Sequence, residues 1–326
     1  MLFVSACGAG SDRTSRTTAS RYSNTPYSGD TASSIDPHKL PVGTPYVTTT
    51  TPAPGWVYVC NTGARSGIGA SAAGPWFSAD LKTWDPSLKI AVQGAVTWVS
   101  SFTVTPGSAL ELNGNGLPDH TTGTYPIAPS DPAFAYDRNP NRIQNANIAW
   151  VLPAAPQVAN DPHCLNMGAI GVLLSGSRLF APVDEGGRDA VAWEVQDTCG
   201  GHPEQHGVYH YHSVSSCIPP KDQAGEHSRL VGYIADGFGL FGNQGEGGKP
   251  LTNADLDACH GHAHVIAVNG VTQEQYHYHQ TQEFPYGSVA MQALRSNYTD
   301  GRSGCGAAQL AAVRRINCGP TKHCEE

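Results

Sequence analysis

The sequence predicts an all-β or β-dominated fold: a sandwich-like domain with long loops, disulfide-bridged, with a short helical C-terminal segment. Three observations carry that prediction. Short runs rich in β-branched and aromatic residues recur along the chain, helical periodicity is weak until near the end, and 37 Gly and 24 Pro among 326 residues supply plentiful turns.

The runs come in order. Trp56–Cys60 opens the predicted folded part, followed by the β-rich stretches Lys89–Gln93 and Val96–Val99. Asn113-Gly114-Asn115-Gly116 is a turn signal. Ile148–Leu152 and Ile170–Leu174 are further strands, and Ser175-Gly176-Ser177 turns into Arg178-Leu179-Phe180. The Gly/Asn-rich segment Gly242–Gly248 is a loop. Helical patterning is confined to Ser288–Leu294 and Ala307–Arg315.

The N-terminal part differs in kind. Residues 8–55 are rich in Ser, Thr, Gly and Pro and carry too few large apolar groups to offset ordering entropy, so they are expected to form a flexible linker. Before it, Leu2-Phe3-Val4-Ser5-Ala6-Cys7-Gly8 resembles a bacterial lipobox, so residues 1–7 are expected to be residual signal, with Cys7 as a candidate lipid anchor. Residues 56–326 are expected to form a single domain.

Composition excludes several classes. The net charge of −8 argues against nucleic acid as a partner. No apolar run approaches the roughly 18 residues of a transmembrane helix. Setting Cys7 aside leaves eight cysteines, an even number that suits an oxidising, extracytoplasmic compartment, with the pairing undetermined and at least one bridge expected to the tail cysteines Cys305, Cys318 and Cys324. There is no C-x-x-C, no G-x-S-x-G, no Walker loop and no dinucleotide fingerprint. The carboxylates Glu111, Asp119, Asp184, Glu185, Glu194 and Asp236 form no distinctive pair.

The chemistry concentrates in histidine. Eleven of 14 histidines lie between His163 and His279. Tyr209-His210-Tyr211-His212 recurs as Tyr276-His277-Tyr278-His279, where composition alone predicts about 0.001 copies, so duplication is the economical reading. Upstream, Asp197-Thr198-Cys199-Gly200-Gly201-His202 and Asp257-Ala258-Cys259-His260-Gly261-His262 share the pattern D-x-C-x-G-H. Two internal repeats are thus expected, over about 197–212 and 257–279. On a strand, alternate residues share a face, so His210 and His212 point one way and their tyrosines the other; His277 and His279 do likewise. If the two strands face each other, four imidazoles converge on one ion. An all-nitrogen set favours Cu or Zn over Ca or Mg. His202, His262 and His264 are further candidate ligands. Asp197 and Asp257 are candidate acid/base groups, or groups that orient the imidazoles.

These residues resemble the YHYH-domain family, bacterial proteins that are secreted or surface-attached and whose role is largely unassigned. The likeness spans about residues 90–290. Leu117-Pro118-Asp119-His120, Asn139-Pro140-Asn141, Cys199–His202, His227-Ser228 with Leu230-Val231-Gly232-Tyr233, Asp236-Gly237-Phe238 and Phe284-Pro285-Tyr286 match its pattern, and Gly239-Leu240-Phe241-Gly242 departs from it. The resemblance adds His120 as a candidate metal ligand and Asp236 as a candidate catalytic group. Two functions follow as expectations. One is an extracytoplasmic histidine-rich Cu- or Zn-binding protein, with a metal-dependent enzyme as its extension. The other is a cell-surface module that binds glycan or protein without metal.

Overall fold

The computed structural model describes residues 35–287 apart from 62–69, 160, 214, 219–221 and 269. The chain is strand-dominated. The first four strands are two-residue pieces: β1 (Leu40–Pro41) pairs β4 (Thr83–Trp84), and β2 (Val47–Thr48) pairs β3 (Val57–Tyr58). β5 (Phe102–Pro106), β6 (Ala109–Gly114) and β7 (Ile148–Pro153) form an antiparallel three-stranded sheet. Its alternation is clean: Leu110, Leu112, Ile148, Trp150 and Leu152 are buried while their neighbours face outward.

The remaining strands are β8 (Ala169–Leu173), β9 (Arg178–Phe180), β10 (Gly201–Pro203), β11 (Tyr209–Tyr211), β12 (Leu230–Ile234), β13 (Gly239–Phe241), β14 (Gly261–Val268) and β15 (Val271–His279). They form one mixed sheet in the order β10-β11-β9-β8-β12-β13-β15-β14. One short α-helix, Ala190–Trp193, precedes β10, with the Asp189 carboxylate accepting from Ala192 N–H at its start. The two sheets share one hydrophobic core, which also takes in Tyr209, Tyr211, Tyr276 and Tyr278.

The duplication is larger than the tetrapeptide. β8-β9-β10-β11 and β12-β13-β14-β15 are the same four-stranded unit. Each holds an antiparallel hairpin (β8–β9, β12–β13), a parallel crossover (β9–β11, β13–β15) and a second antiparallel pair (β10–β11, β14–β15). Both hairpins shift register at matching places, Ala169/Gly171 and Leu230/Gly232. Val172 and Tyr233 are equivalent positions and pair with each other across the β8–β12 junction. A pseudo-twofold axis therefore passes between them, perpendicular to the sheet, and equivalent side chains lie on the same face.

Several sequence expectations change here. The linker is shorter than 8–55, because Leu40 (2 % exposed) and Val42 (4 %) enter the core. Lys89–Gln93 and Val96–Val99 are not strands; they hold only isolated bridges, among them Val92 to Asp197 and Val96 to Thr122. The two strands nearest them, β5 and β6, are absent from the predicted set because their outward residues are Thr, Glu and Asn. Cys60 bonds Cys164 and Cys199 bonds Cys217. Cys259, the counterpart of Cys199, is a buried thiol. The lipobox, the tail cysteines and both predicted C-terminal helical stretches lie outside the described residues. No helix among the described residues is long and apolar enough to cross a membrane.

Candidate metal centres

Each D-x-C-x-G-H segment folds for a physical reason. The aspartate side chain organises the turn: Asp197 Oδ1 accepts from Cys199 N–H at 2.9 Å and Gly201 N–H at 3.2 Å, and Asp257 Oδ1 accepts from Cys259 N–H at 2.8 Å and Gly261 N–H at 3.1 Å. The fourth position of the motif needs a left-handed backbone, which Gly200 (φ 78°) takes freely and His260 (φ 73°) takes under strain. The motif glycine is required because the tyrosine of the paired strand lies over it; a Cβ on Gly201 or Gly261 would overlap Tyr209 or Tyr276. The histidine that follows then pairs with the first histidine of the tetrapeptide, His202 with His210 and His262 with His277.

Strand alternation separates the two residue types as expected. Tyr209 donates to Asp197 at 2.9 Å and Tyr276 to Asp257 at 3.0 Å. Tyr211 shares a 3.1 Å hydrogen bond with Ser175, and the equivalent Tyr278 donates to Asp236 at 2.5 Å. Asp197, Asp236 and Asp257 thus lie with the tyrosines, on the face away from the imidazoles. There they accept from turn N–H groups and buried hydroxyls, the roles their hydrogen bonds show. His120 also joins the tyrosine side: its Nδ1 donates to Thr121 O, and its Nε2 sits 2.5 Å from the Tyr211 hydroxyl. The nearby Cys199 and Cys217 are bonded to each other and offer no thiolate. His120 is therefore apart from the other candidate ligands.

The histidines do converge, but in two groups. In the first unit His202, His210 and His212 bring their nearest donor atoms within 4.8 Å of one another. His210 Nε2 and His212 Nε2 are 3.1 Å apart. Glu194, one residue past the short helix, completes the group: its Oε2 lies 3.4 Å from His202 Nε2 and 3.3 Å from His212 Nε2 and has no hydrogen-bond donor. In the second unit five histidines gather: His227, His262, His264, His277 and His279. His227 Nε2 is 3.3 Å from His277 Nε2 and 3.1 Å from His279 Nε2. The expectation that His210, His212, His277 and His279 grip one ion is corrected. β9, β8, β12 and β13 separate β11 from β15. Five strand spacings place the groups about 24 Å apart.

Carbonyl oxygens only accept, so the ring nitrogen facing one carries the proton. His210 Nδ1 faces Val208 O, His212 Nδ1 faces Ala181 O, His277 Nδ1 faces Gln275 O, His279 Nδ1 faces Gly242 O and His227 Nδ1 faces Ser228 O. The matching pairs, Ala181 with Gly242 and Val208 with Gln275, repeat the duplication. In the neutral ring each Nε2 is then a lone pair, and the Nε2 atoms point at one another. Charging the rings instead is opposed by burial, which depresses His202, His210 and His279 far below the usual imidazole range and takes His277 to about 3. Two nitrogens about 2.0–2.1 Å from a shared ion stand about 2.9 Å apart at a right angle and about 3.3 Å at the tetrahedral angle. The observed Nε2 separations of 3.1–3.3 Å fit that range.

This burial has a pH consequence. In the metal-free chain His202, His210, His277, His279 and His260 (about 3) have folded pKa values below the unfolded value of about 6.5. Between pH 6.5 and about 3 the unfolded chain binds more protons, so stability falls as pH falls. Burial raises Asp119, Asp137, Asp189, Asp197 and Glu283, which act in the opposite sense, but His227 and His262 are lowered as well, so the histidines are seven against five. The urea midpoint of the metal-free protein should therefore be lower at pH 5 than at pH 7; a higher midpoint at pH 5 would refute the neutral-imidazole assignment.

Glu194 and His227 were not among the ligands expected from sequence. His227 lies in the segment that matches the family pattern, but 50 residues separate it from His277, and no spacing marks Glu194 at all. The family model described as YHYH protein matches residues 149–250, a span that holds the first tetrapeptide and stops before the second. No curated protein and no solved structure matches the chain. Over residues 149–250, therefore, the chain carries a YHYH domain.

Proposed function

We propose that the chain is an extracytoplasmic metal-binding protein with two independent sites for Cu or Zn. One site is formed by His202, His210, His212 and Glu194, the other by His227, His262, His264, His277 and His279. The observation that carries this reading is the set of buried and half-buried imidazoles whose Nδ1 protons are engaged by carbonyls and whose Nε2 atoms face one another at 3.1–3.3 Å. Such an arrangement is repulsive without a cation between the lone pairs. Imidazole donors suit Zn and Cu, and the Glu194 carboxylate is compatible with a divalent ion. The two disulfides are consistent with an oxidising compartment; Cys7 as a lipid anchor belongs to the same reading.

Holding an ion fits better than transforming a substrate. Asp197, Asp236 and Asp257 lie across the sheet from both groups, and the carboxylate that stands beside the first, Glu194, is positioned as a fourth ligand. A glycan- or protein-binding face needs a row of exposed rings, whereas the tyrosines and most of these histidines are buried. Elemental analysis of the full chain purified without a histidine tag tests the proposal. The expected result is Cu or Zn in stoichiometric amount, or uptake of either ion by stripped protein. Protein that carries neither ion and takes up neither overturns the proposal.

A further inference from the structure

The two groups are copies by topology but not by chemistry. In the first, all three histidines are buried: His202 and His210 are 3 % exposed and His212 6 %. The Phe180 ring stacks on His210 with centroids 3.9 Å apart, which closes that side. The donor set is three imidazoles and one carboxylate, the number that saturates a four-coordinate ion. Glu194 also brings a negative charge into the buried site, offsetting part of the charge of a divalent ion and raising the cost of removing it.

The second group is built differently. His277 and His279 form a buried floor, while His227, His262 and His264 are only partly buried and form a rim whose rings reach solvent although the Nε2 atoms of His262 and His264 are turned inward, buried and without a hydrogen-bond partner. Five imidazoles exceed what a four-coordinate ion needs. One can leave and rebind while the ion stays held, so an incoming ligand meets a partly vacated coordination shell without stripping the ion bare. Among the described residues no buried carboxylate joins this group. Asp222 and Asp257 act on it electrostatically, and the acid at ion-pair distance is Glu246, whose side chain is 77 % exposed and whose Oε1 lies 3.5 Å from His264 Nδ1. His264 Nδ1 is also 3.2 Å from Val265 O. His264 is thus the ring of the group that faces an exposed anionic group at the mouth.

Resting on the two-site reading above, we propose that the five-histidine site is the exchangeable one, where the protein takes up and hands over its ion from solvent, while the site of His202, His210, His212 and Glu194 holds its ion as a resident part of the fold. Exchange is ligand substitution only: a metal–nitrogen bond to a rim histidine breaks as a bond to the incoming donor forms, with no change in oxidation state. Closed, saturated sites behave as structural ones, and sites with an accessible position turn over.

The test uses the full chain loaded with two equivalents of Zn(II) and mixed with excess 4-(2-pyridylazo)resorcinol, with transfer followed by absorbance. Two phases are expected, one equivalent each, the slow one accelerated by urea because it requires opening of the fold. H264A should change the rate or amplitude of the fast phase and leave the slow phase as it is. E194Q, which keeps the shape of the side chain, should move the slow phase towards the fast one. Release of both equivalents in one phase, or a fast phase that responds to E194Q and not to H264A, overturns the assignment while leaving two metal sites in place. A chain that holds no second ion contradicts the two-site reading itself and takes this inference with it.

Discussion

His210→Ala is expected to remove one of the two proposed ions and leave the other, and His277→Ala to remove the ion that His210→Ala spares. Each substitution deletes an imidazole from only one group, and four strands of hydrogen-bonded sheet lie between β11 and β15. Had the two tetrapeptides shared an ion, either substitution would lower the same occupancy and the double variant would add nothing. On the two-site reading the losses should be independent, as expected of sites far beyond the 7–10 Å within which substitutions couple. Metal content of the two single variants and the double variant, each checked for folding by urea denaturation, decides between these outcomes.

Asp197→Ala carries the largest expected cost in stability. The carboxylate is fully buried and receives four donors: the N–H groups of Gly123, Cys199 and Gly201 and the Tyr209 hydroxyl. Truncation leaves these groups without an acceptor in the interior, where each orphaned donor costs about 1–3 kcal/mol before the structure relaxes. A net loss of about 3–5 kcal/mol is expected from four donors after partial relaxation. Because Asp197 shapes the turn that delivers His202, the same variant should lose the ion of the first site and keep that of the second. Asp197→Asn retains one acceptor oxygen and should lose less. A stability change under about 1 kcal/mol for Asp197→Ala would show that the turn is held by something other than this carboxylate.

The same residues show how far the sequence could be read. The alternation Tyr-His-Tyr-His fixes which side chains share a face, and the D-x-C-x-G-H match foretells a second histidine paired with each tetrapeptide; both are local consequences of strand geometry. The order of strands is not local. The parallel crossovers of β9 to β11 and β13 to β15, and the central β8–β12 pairing, decide that the two histidine pairs lie apart, and nothing within a tetrapeptide encodes that. The longer duplication was visible only faintly, as Ile170-Gly171-Val172 against Val231-Gly232-Tyr233, with Ser175 standing where the second copy has Asp236. Glu194 escaped because its role depends on the short helix ending beside β10. Leu40 and Val42 escaped because two buried residues inside a Thr- and Pro-rich stretch do not alter its composition.

The central claim is that this chain holds two separate ions on one face of one sheet. Pulsed dipolar electron paramagnetic resonance on the full chain loaded with two equivalents of Cu(II) measures it directly. The account predicts a single copper–copper distance of about 24 Å, five strand spacings. A strongly coupled pair at short distance, or a fully loaded chain with no dipolar partner, would contradict it.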